Sequence, residues 1–271
     1  MKIAVVRCSD VRSEKEKPEI EKLCGFLSEN GAQPAVGDNL YVSADGRERA
    51  QELMRFYREG YDLILDVSGG NSCEELLPYM DFDLVAASGA VLWGYSDLTV
   101  MLNAVYAATG KSSVLWQARN IIRDGSGRAA KLFTKLLGGD KRLFSPEIKM
   151  LRGDSVHGTL IGGNLRCFLK LYGTPYFPKT DGCVILAEAL SGDARRLCSS
   201  FDRLADTGAL EGAAGLILGT FTEADRLGED DTVVRYIMSK TGIPVARTSQ
   251  IGHAPSSMAA LIGEKNYSVK P

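Results

Sequence analysis

Short apolar runs alternate with amphipathic helical stretches through the first half of this chain, and that alternation leaves few folds open. Lys2 to Arg7 reads as a strand, and Pro18 to Asn30 as a helix stopped by Gly31. Arg47 to Glu59 has helical spacing, with Ala50, Leu53, Met54 and Tyr57 on one face. Tyr61 to Val67 is a buried strand that ends in the turn Ser68-Gly69-Gly70-Asn71-Ser72. Val91 to Gly94, Leu98 to Thr109 and Ser113 to Trp116 continue as strand, helix and strand. Buried strands separated by helices predict an α/β fold, a parallel sheet with helices on both faces. Functional loops of such sheets lie at the carboxyl ends of the strands. The Gly69-Gly70 turn and the segment around Ser96 both fall there.

The pattern weakens from Ala118 to about Met150, where Asp124-Gly125-Ser126-Gly127 and Gly138-Gly139-Asp140 bracket one helix-like stretch, Arg128 to Leu137. This predicts two domains, 1–120 and 151–271, with 121–150 connecting them. In the second, Gly182 to Glu188, Gly212 to Thr220 and Ile243 to Ala246 read as strands, with helices near Asp193 to Ala205 and Asp230 to Lys240. Ala259 to Val269 is expected to form a closing hairpin around Gly263-Glu264-Lys265-Asn266.

Composition narrows the function. With 32 basic against 34 acidic residues the net charge is −2, and no dense Lys/Arg stripe offers phosphates a track, so a nucleic-acid partner is not expected. Arg195-Arg196 and Lys141-Arg142 read as solvated surface. Cys8, Cys24, Cys73, Cys167, Cys183 and Cys198 include no CxxC pair, and the chain has only 2 histidines. Metal ligands converging at short spacing are therefore not expected. No apolar segment is long enough to span a bilayer, and the N-terminus runs into a strand without a signal core. A cytoplasmic protein with no membrane partner is the expectation.

Gly94-Tyr95-Ser96-Asp97-Leu98-Thr99 places a serine on a sharp turn between strand and helix. Such a turn holds a hydroxyl out from the sheet and aims the next backbone N–H at a substrate carbonyl, while the helix start adds partial positive charge. Leu98 stands where a G-x-S-x-G motif has its second glycine, and a plain helix N-cap at Ser96 or Asp97 accounts for the same residues. The paired glycines after Ser68 suit an oxyanion hole or a phosphate, though also a tight strand–helix turn. His253, in Ile251-Gly252-His253-Ala254-Pro255, can supply a base near neutrality, or be an ordinary surface histidine. His157 is its competitor, in a turn or surface setting. Glu188 ends the apolar run Cys183 to Ala187, where a carboxylate could hold a histidine in one tautomer or simply face solvent. Cys73, in the glycine-rich turn, is the alternative nucleophile.

Taken together, these segments resemble the LD-carboxypeptidase family of serine peptidases, which includes murein tetrapeptide carboxypeptidases and microcin C immunity peptidases. The resemblance rests on Gly69-Gly70-Asn71-Ser72 followed by Leu76-Leu77-Pro78-Tyr79-Met80-Asp81, and on Gly94 to Thr99 continued by Tyr106-Ala107-Ala108-Thr109-Gly110. Gly158 to Leu165, Gly173-Thr174-Pro175-Tyr176, Glu188 and Gly252-His253 extend it through the second half. It implies a Rossmann-like or flavodoxin-like N-terminal domain bearing the serine and a smaller mixed α/β C-terminal domain supplying the other two groups. It further implies a catalytic triad of Ser96, Glu188 and His253, an oxyanion hole from the N–H groups of Asp97 and Gly70, and substrate contacts at Gly69, Asn71 and Ser72. No metal or other cofactor is implied. The expected partners are a small peptide substrate and a second copy of the chain, as a homodimer. The expected activity is cleavage of an amide near a peptide's C-terminus, in an L,D-linked murein peptide or a microcin C-like conjugate. Ser68 and Glu75 stand where murein-cleaving members carry arginines, and Ala189 where an acidic residue often follows the glutamate. These departures raise an alternative, a binding or sensory protein that keeps the fold without turnover.

Overall fold

A computed structural model describes residues 1–270. Strands β1 (Lys2–Val6), β2 (Gln33–Val36), β3 (Leu63–Asp66), β4 (Val91–Gly94) and β5 (Ser113–Leu115) appear in the first half. The second half carries β6 (Lys149–Arg152), β7 (Val156–Asn164), β8 (Cys183–Ala189), β9 (Gly215–Phe221), β10 (Val245–Arg247), β11 (Ala260–Ile262) and β12 (Tyr267–Val269). They form two six-stranded sheets, ordered β11-β5-β4-β3-β1-β2 and β12-β7-β8-β9-β10-β6. In the first, β1 to β5 are parallel. In the second, β7 to β10 are parallel in their pairings. Antiparallel strands close one edge of the first sheet and both edges of the second. The alternating pattern of the first half predicted such a parallel-dominated sheet, and the family resemblance implied a mixed α/β second unit; both are present.

The buried strands are apolar on both faces: β8 is buried along its whole length, as expected where helices cover a parallel sheet on both sides. One core lies between the sheets. It joins Ala4, Ile64 and Leu92 of the first to Leu160, Leu186 and Ile217 of the second through residues of helices Gly46–Arg58 and Thr99–Thr109. The outer face of each sheet has its own cluster. Residues Ile121, Ala129, Phe133 and Leu143 lie in the outer cluster of the first sheet.

Local signals set the helix ends. Asp45 and Glu48 cap helix Gly46–Arg58 reciprocally, each side chain accepting from the other's backbone N–H at 2.9 and 2.8 Å, which satisfies two donors that a helix start leaves free. Gly110 ends Thr99–Thr109 at φ +70°. The expected closing hairpin does not form: β11 pairs with β5 and β12 with β7, one strand going to each sheet. Turn chemistry at Gly263 marks a reversal, but the free edges of β5 and β7 offered better partners than the two short strands offered each other.

Candidate active site

The ends of β3, β4, β7 and β8 and the loop after β10 converge on a cavity of about 560 Å3. Gly94 ends β4, and a Cβ there would sit 2.6 Å from Leu98 Cβ. Leu98 thus fills the space over Gly94, which leaves no room for a side chain there. Ser96 follows at φ +54°, alone among the described non-glycine residues in having positive φ. That conformation costs an L-residue about 1–2 kcal/mol, so the surroundings must hold it.

They do so through the neighbouring residue. Asp97 is fully buried. Its carboxylate accepts from Ser9 Oγ at 2.7 Å, the Cys73 N–H at 2.9 Å and Lys170 Nζ at 2.7 Å. The glycine turn is fixed from below by buried Asp66, which accepts from the N–H of Cys8 at 2.6 Å and from the N–H and hydroxyl of Ser68. Burial pushes the Asp66 carboxyl above its ordinary pKa, against those hydrogen bonds. Gly70 runs at φ +140°, and a Cβ there would lie 2.2 Å from Asp10 Cγ. The N–H groups of Gly70 and Asp97 donate to no protein oxygen among the described residues.

Glu188, at the end of β8, is 2% exposed and bonds His253 Nδ1 through Oε2 at 2.7 Å. Burial alone would lower the His253 pKa; the charge and hydrogen bond of Glu188 outweigh it and raise it above 6.5. His253 Nε2 is buried without a hydrogen-bond partner, so Ser96 Oγ is not bonded to it in this state. Ser96, Glu188 and His253 nevertheless line one narrow crevice with Tyr95 and Trp116. The Tyr95 and His253 rings lie 5.6 Å apart.

The structure therefore gathers Ser96, His253, Gly69, Gly70 and Asn71 around the cavity, with Glu188 behind the histidine. It does not bring Ser72 there: that hydroxyl donates to Asp10 at 2.7 Å and accepts from Arg49 at 3.1 Å. Cys73 is fully buried, and burial together with nearby Asp97 pushes its thiol well above the usual range, which removes it as a nucleophile. His157 is exposed on β7, opposite Ser268 of β12. Glu75, standing in an arginine's place, forms an ion pair with buried Arg49.

Five further residues escaped sequence reasoning: Arg12, Asn164, Arg166 and Arg196 line the cavity, and Lys170 lies beside it. Asn164 ends an apolar strand just as Glu188 does, so the same criterion could have found it. Arg196, expected as solvated surface, lies one turn into helix Ala194–Asp206 and faces the cavity with Leu197 and Ser200. The charged side chains around this cavity are the three arginines and, when protonated, His253; neither Arg166 nor Arg196 has a carboxylate partner within 4.0 Å among the described residues. Among the described residues, no helix is long and apolar enough to cross a membrane.

Comparison with known proteins identifies the family. The LD-carboxypeptidase N-terminal domain matches residues 3–115 and the LD-carboxypeptidase C-terminal domain residues 157–266. The chain is 27% identical over 263 residues to a probable murein peptide carboxypeptidase of Bacillus subtilis (strain 168), covering 89% of this chain and 81% of that protein. It is 25% identical over 218 residues to the microcin C7 self-immunity protein MccF of Escherichia coli, covering 66% and 62%. Among solved structures, an MccF-like protein from Bacillus anthracis superposes with TM-score 0.83 at 19% identity, covering 99% of this chain and 96% of that one. A muramoyltetrapeptide carboxypeptidase from Oxalobacter formigenes gives 0.80 at 23%, covering 97% and 93%. Both family domains are matched in order across most of the sequence, and the chain belongs to the LD-carboxypeptidase family of serine peptidases.

Proposed function

We propose that the protein is a serine carboxypeptidase in which Ser96, His253 and Glu188 form the catalytic triad. Ser96 Oγ attacks the carbonyl carbon of an amide near a peptide's C-terminus while its proton passes to His253 Nε2. His253 keeps its Nδ1–H on Glu188, which fixes the tautomer and stabilises the imidazolium that forms. The N–H groups of Gly70 and Asp97 receive the oxyanion; one such donor is worth about 3–4 kcal/mol of barrier. The imidazolium then protonates the leaving amine, the acyl group stays on Ser96, and a water activated by the same histidine releases it. The observation that carries this reading is the histidine's pairing: Nδ1 held by Glu188 at 2.7 Å, Nε2 buried and unpartnered, in the crevice that holds the strained serine.

The three arginines support a substrate with a free carboxylate, which guanidinium groups bind in a forked geometry. The candidates are an L,D-linked murein peptide and a microcin C-like peptide conjugate. The family resemblance also supports a cytoplasmic homodimer, which light scattering checks. A fluorophosphonate should label the wild type and not Ser96→Ala, and mass-spectrometric profiling against L,D- and L,L-linked peptides should return a product that Ser96→Ala does not make. Labelling that persists in Ser96→Ala contradicts the triad. Binding of cell-wall peptides without cleavage of any favours a sensory protein on the same fold.

A further inference from the structure

Lys170 follows the short helix Leu165–Leu169 in the second half of the chain, yet its three acceptors all lie in the first. Its Nζ donates to Asp97 Oδ1 at 2.7 Å, Glu74 Oε2 at 2.7 Å and the Asn71 carbonyl at 2.8 Å. Asn71 and Glu74 flank the end of the glycine turn, and Asp97 adjoins Ser96. The second Asp97 oxygen holds Ser9, from the loop after β1, and the Cys73 N–H. Three segments thus meet on one buried carboxylate beside the strained serine. Burial would lower the Lys170 pKa, but the hydrogen bonds to Asp97 and Glu74 outweigh it and keep the ammonium charged. A backbone at φ +54° persists only where its surroundings over-determine it.

We propose that Lys170 is a positioning residue: its ammonium, delivered by the second half of the chain, fixes Asp97 and so holds Ser96 and the Gly69-Gly70 turn in reactive geometry. This rests on Ser96 being the nucleophile. The arrangement makes the nucleophile's geometry conditional on the docking of the half that supplies Glu188 and His253. A merely structural ion pair would affect stability alone; Lys170 also sets reactivity.

The test needs no knowledge of the substrate. Fluorophosphonate labelling is followed to saturation in the wild type, Lys170→Met, Lys170→Arg and, as a remote destabilised control, Ile237→Ala, beside thermal midpoints and amide hydrogen exchange. In Lys170→Met the maximal labelling rate should fall about 10²-fold, the loss typical of a misplaced reacting group, with the reagent's apparent affinity little changed. Lys170→Arg should recover most of that loss. Exchange should quicken at 69–74 and 95–98 in Lys170→Met, and Ile237→Ala should lose midpoint without losing rate. Should Lys170→Met fail to fold, Lys170→Gln, which keeps an N–H donor, is judged on the same outcomes. Labelling at the wild-type rate, or a loss that Ile237→Ala reproduces, overturns the role of Lys170 and leaves the triad standing. A wild type that takes no label, or a Ser96→Ala variant that does, overturns the nucleophile and this inference with it.

Discussion

Ser96 combines a place on the cavity wall with a costly backbone, and that pairing has a measurable consequence. At φ +54° a glycine is relaxed and an alanine is not, while both lack the hydroxyl. Ser96→Gly should therefore be about 1 kcal/mol more stable than Ser96→Ala, read from denaturant midpoints; equal stability would contradict the strain. His253 gives a second prediction. The proposed base must be neutral to act, so the rate should rise with pH through a midpoint above 6.5, in the direction Glu188 shifts it. Glu188→Gln removes that cause; the midpoint should fall and the rate drop on the order of 10⁴-fold, as when a triad carboxylate is lost. Stability runs the other way. A folded pKa raised above the unfolded one contributes stability that is complete below about 6.5 and lost as pH climbs through the folded value. The stability gap between wild type and Glu188→Gln should thus be wider at pH 6 than at pH 8. Arg196 lines the cavity; with the carboxylate-binding role proposed for it, Arg196→Gln should raise KM about tenfold with kcat little changed, the worth of one hydrogen bond to a charged group. Local strand-end and turn patterns made Ser96, Glu188 and His253 candidates, each with an ordinary structural reading beside it; the family resemblance joined them, and the fold brings all three to one crevice. Ser72 and Cys73 looked equally accessible in that pattern, and only the fold reveals that Asp10 and Arg49 occupy one and burial silences the other.

Between the sheets, two side chains fasten helix Thr99–Thr109 to β7: Thr99 Oγ1 accepts from the Asn164 N–H at 2.9 Å, and Asn103 grips Gly162. Asn103 Nδ2 donates to the Gly162 carbonyl at 2.9 Å, and its Oδ1 accepts from the Gly162 N–H at 2.8 Å, all of it buried. Asn103→Ala would orphan two buried backbone groups and should cost about 2–4 kcal/mol by chemical denaturation; a loss under 1 kcal/mol would show that water replaces the amide. The strands β1, β3, β4, β5 and β8 were readable as apolar runs because both their faces are buried. The edge strand β2 was not, since its exposed and half-buried residues carry no such run. The destinations of β11 and β12 were hidden for a different reason: local sequence shows where a chain turns, whereas a pairing partner about 145 residues away, as Leu115 is for Ala260, is chosen by which sheet edges remain open.

Across the whole molecule, two parallel-dominated sheets turn the carboxyl ends of their parallel strands toward one cavity, so a site built from loops 69–71, 94–97 and 252–253 follows from topology. One apolar core spans both sheets, and β11 carries the C-terminal segment back into the first. The chain should therefore unfold as one unit. Fluorescence from Trp93 and Trp116, both in the first sheet's outer core, should melt together with far-ultraviolet circular dichroism; separated transitions would mean that the halves fold independently. The cationic lining and the Lys170 contact lay beyond sequence reasoning because Arg12, Arg166, Lys170 and Arg196 share no motif and meet only in three dimensions. The most direct test of the triad is a crystal structure of the fluorophosphonate-treated enzyme. Phosphorus should be bonded to Ser96 Oγ, with its oxygen held by the N–H groups of Gly70 and Asp97 and His253 Nε2 turned toward the adduct. An adduct on another residue, or one on Ser96 whose oxygen points away from both N–H groups with His253 out of reach, would contradict it.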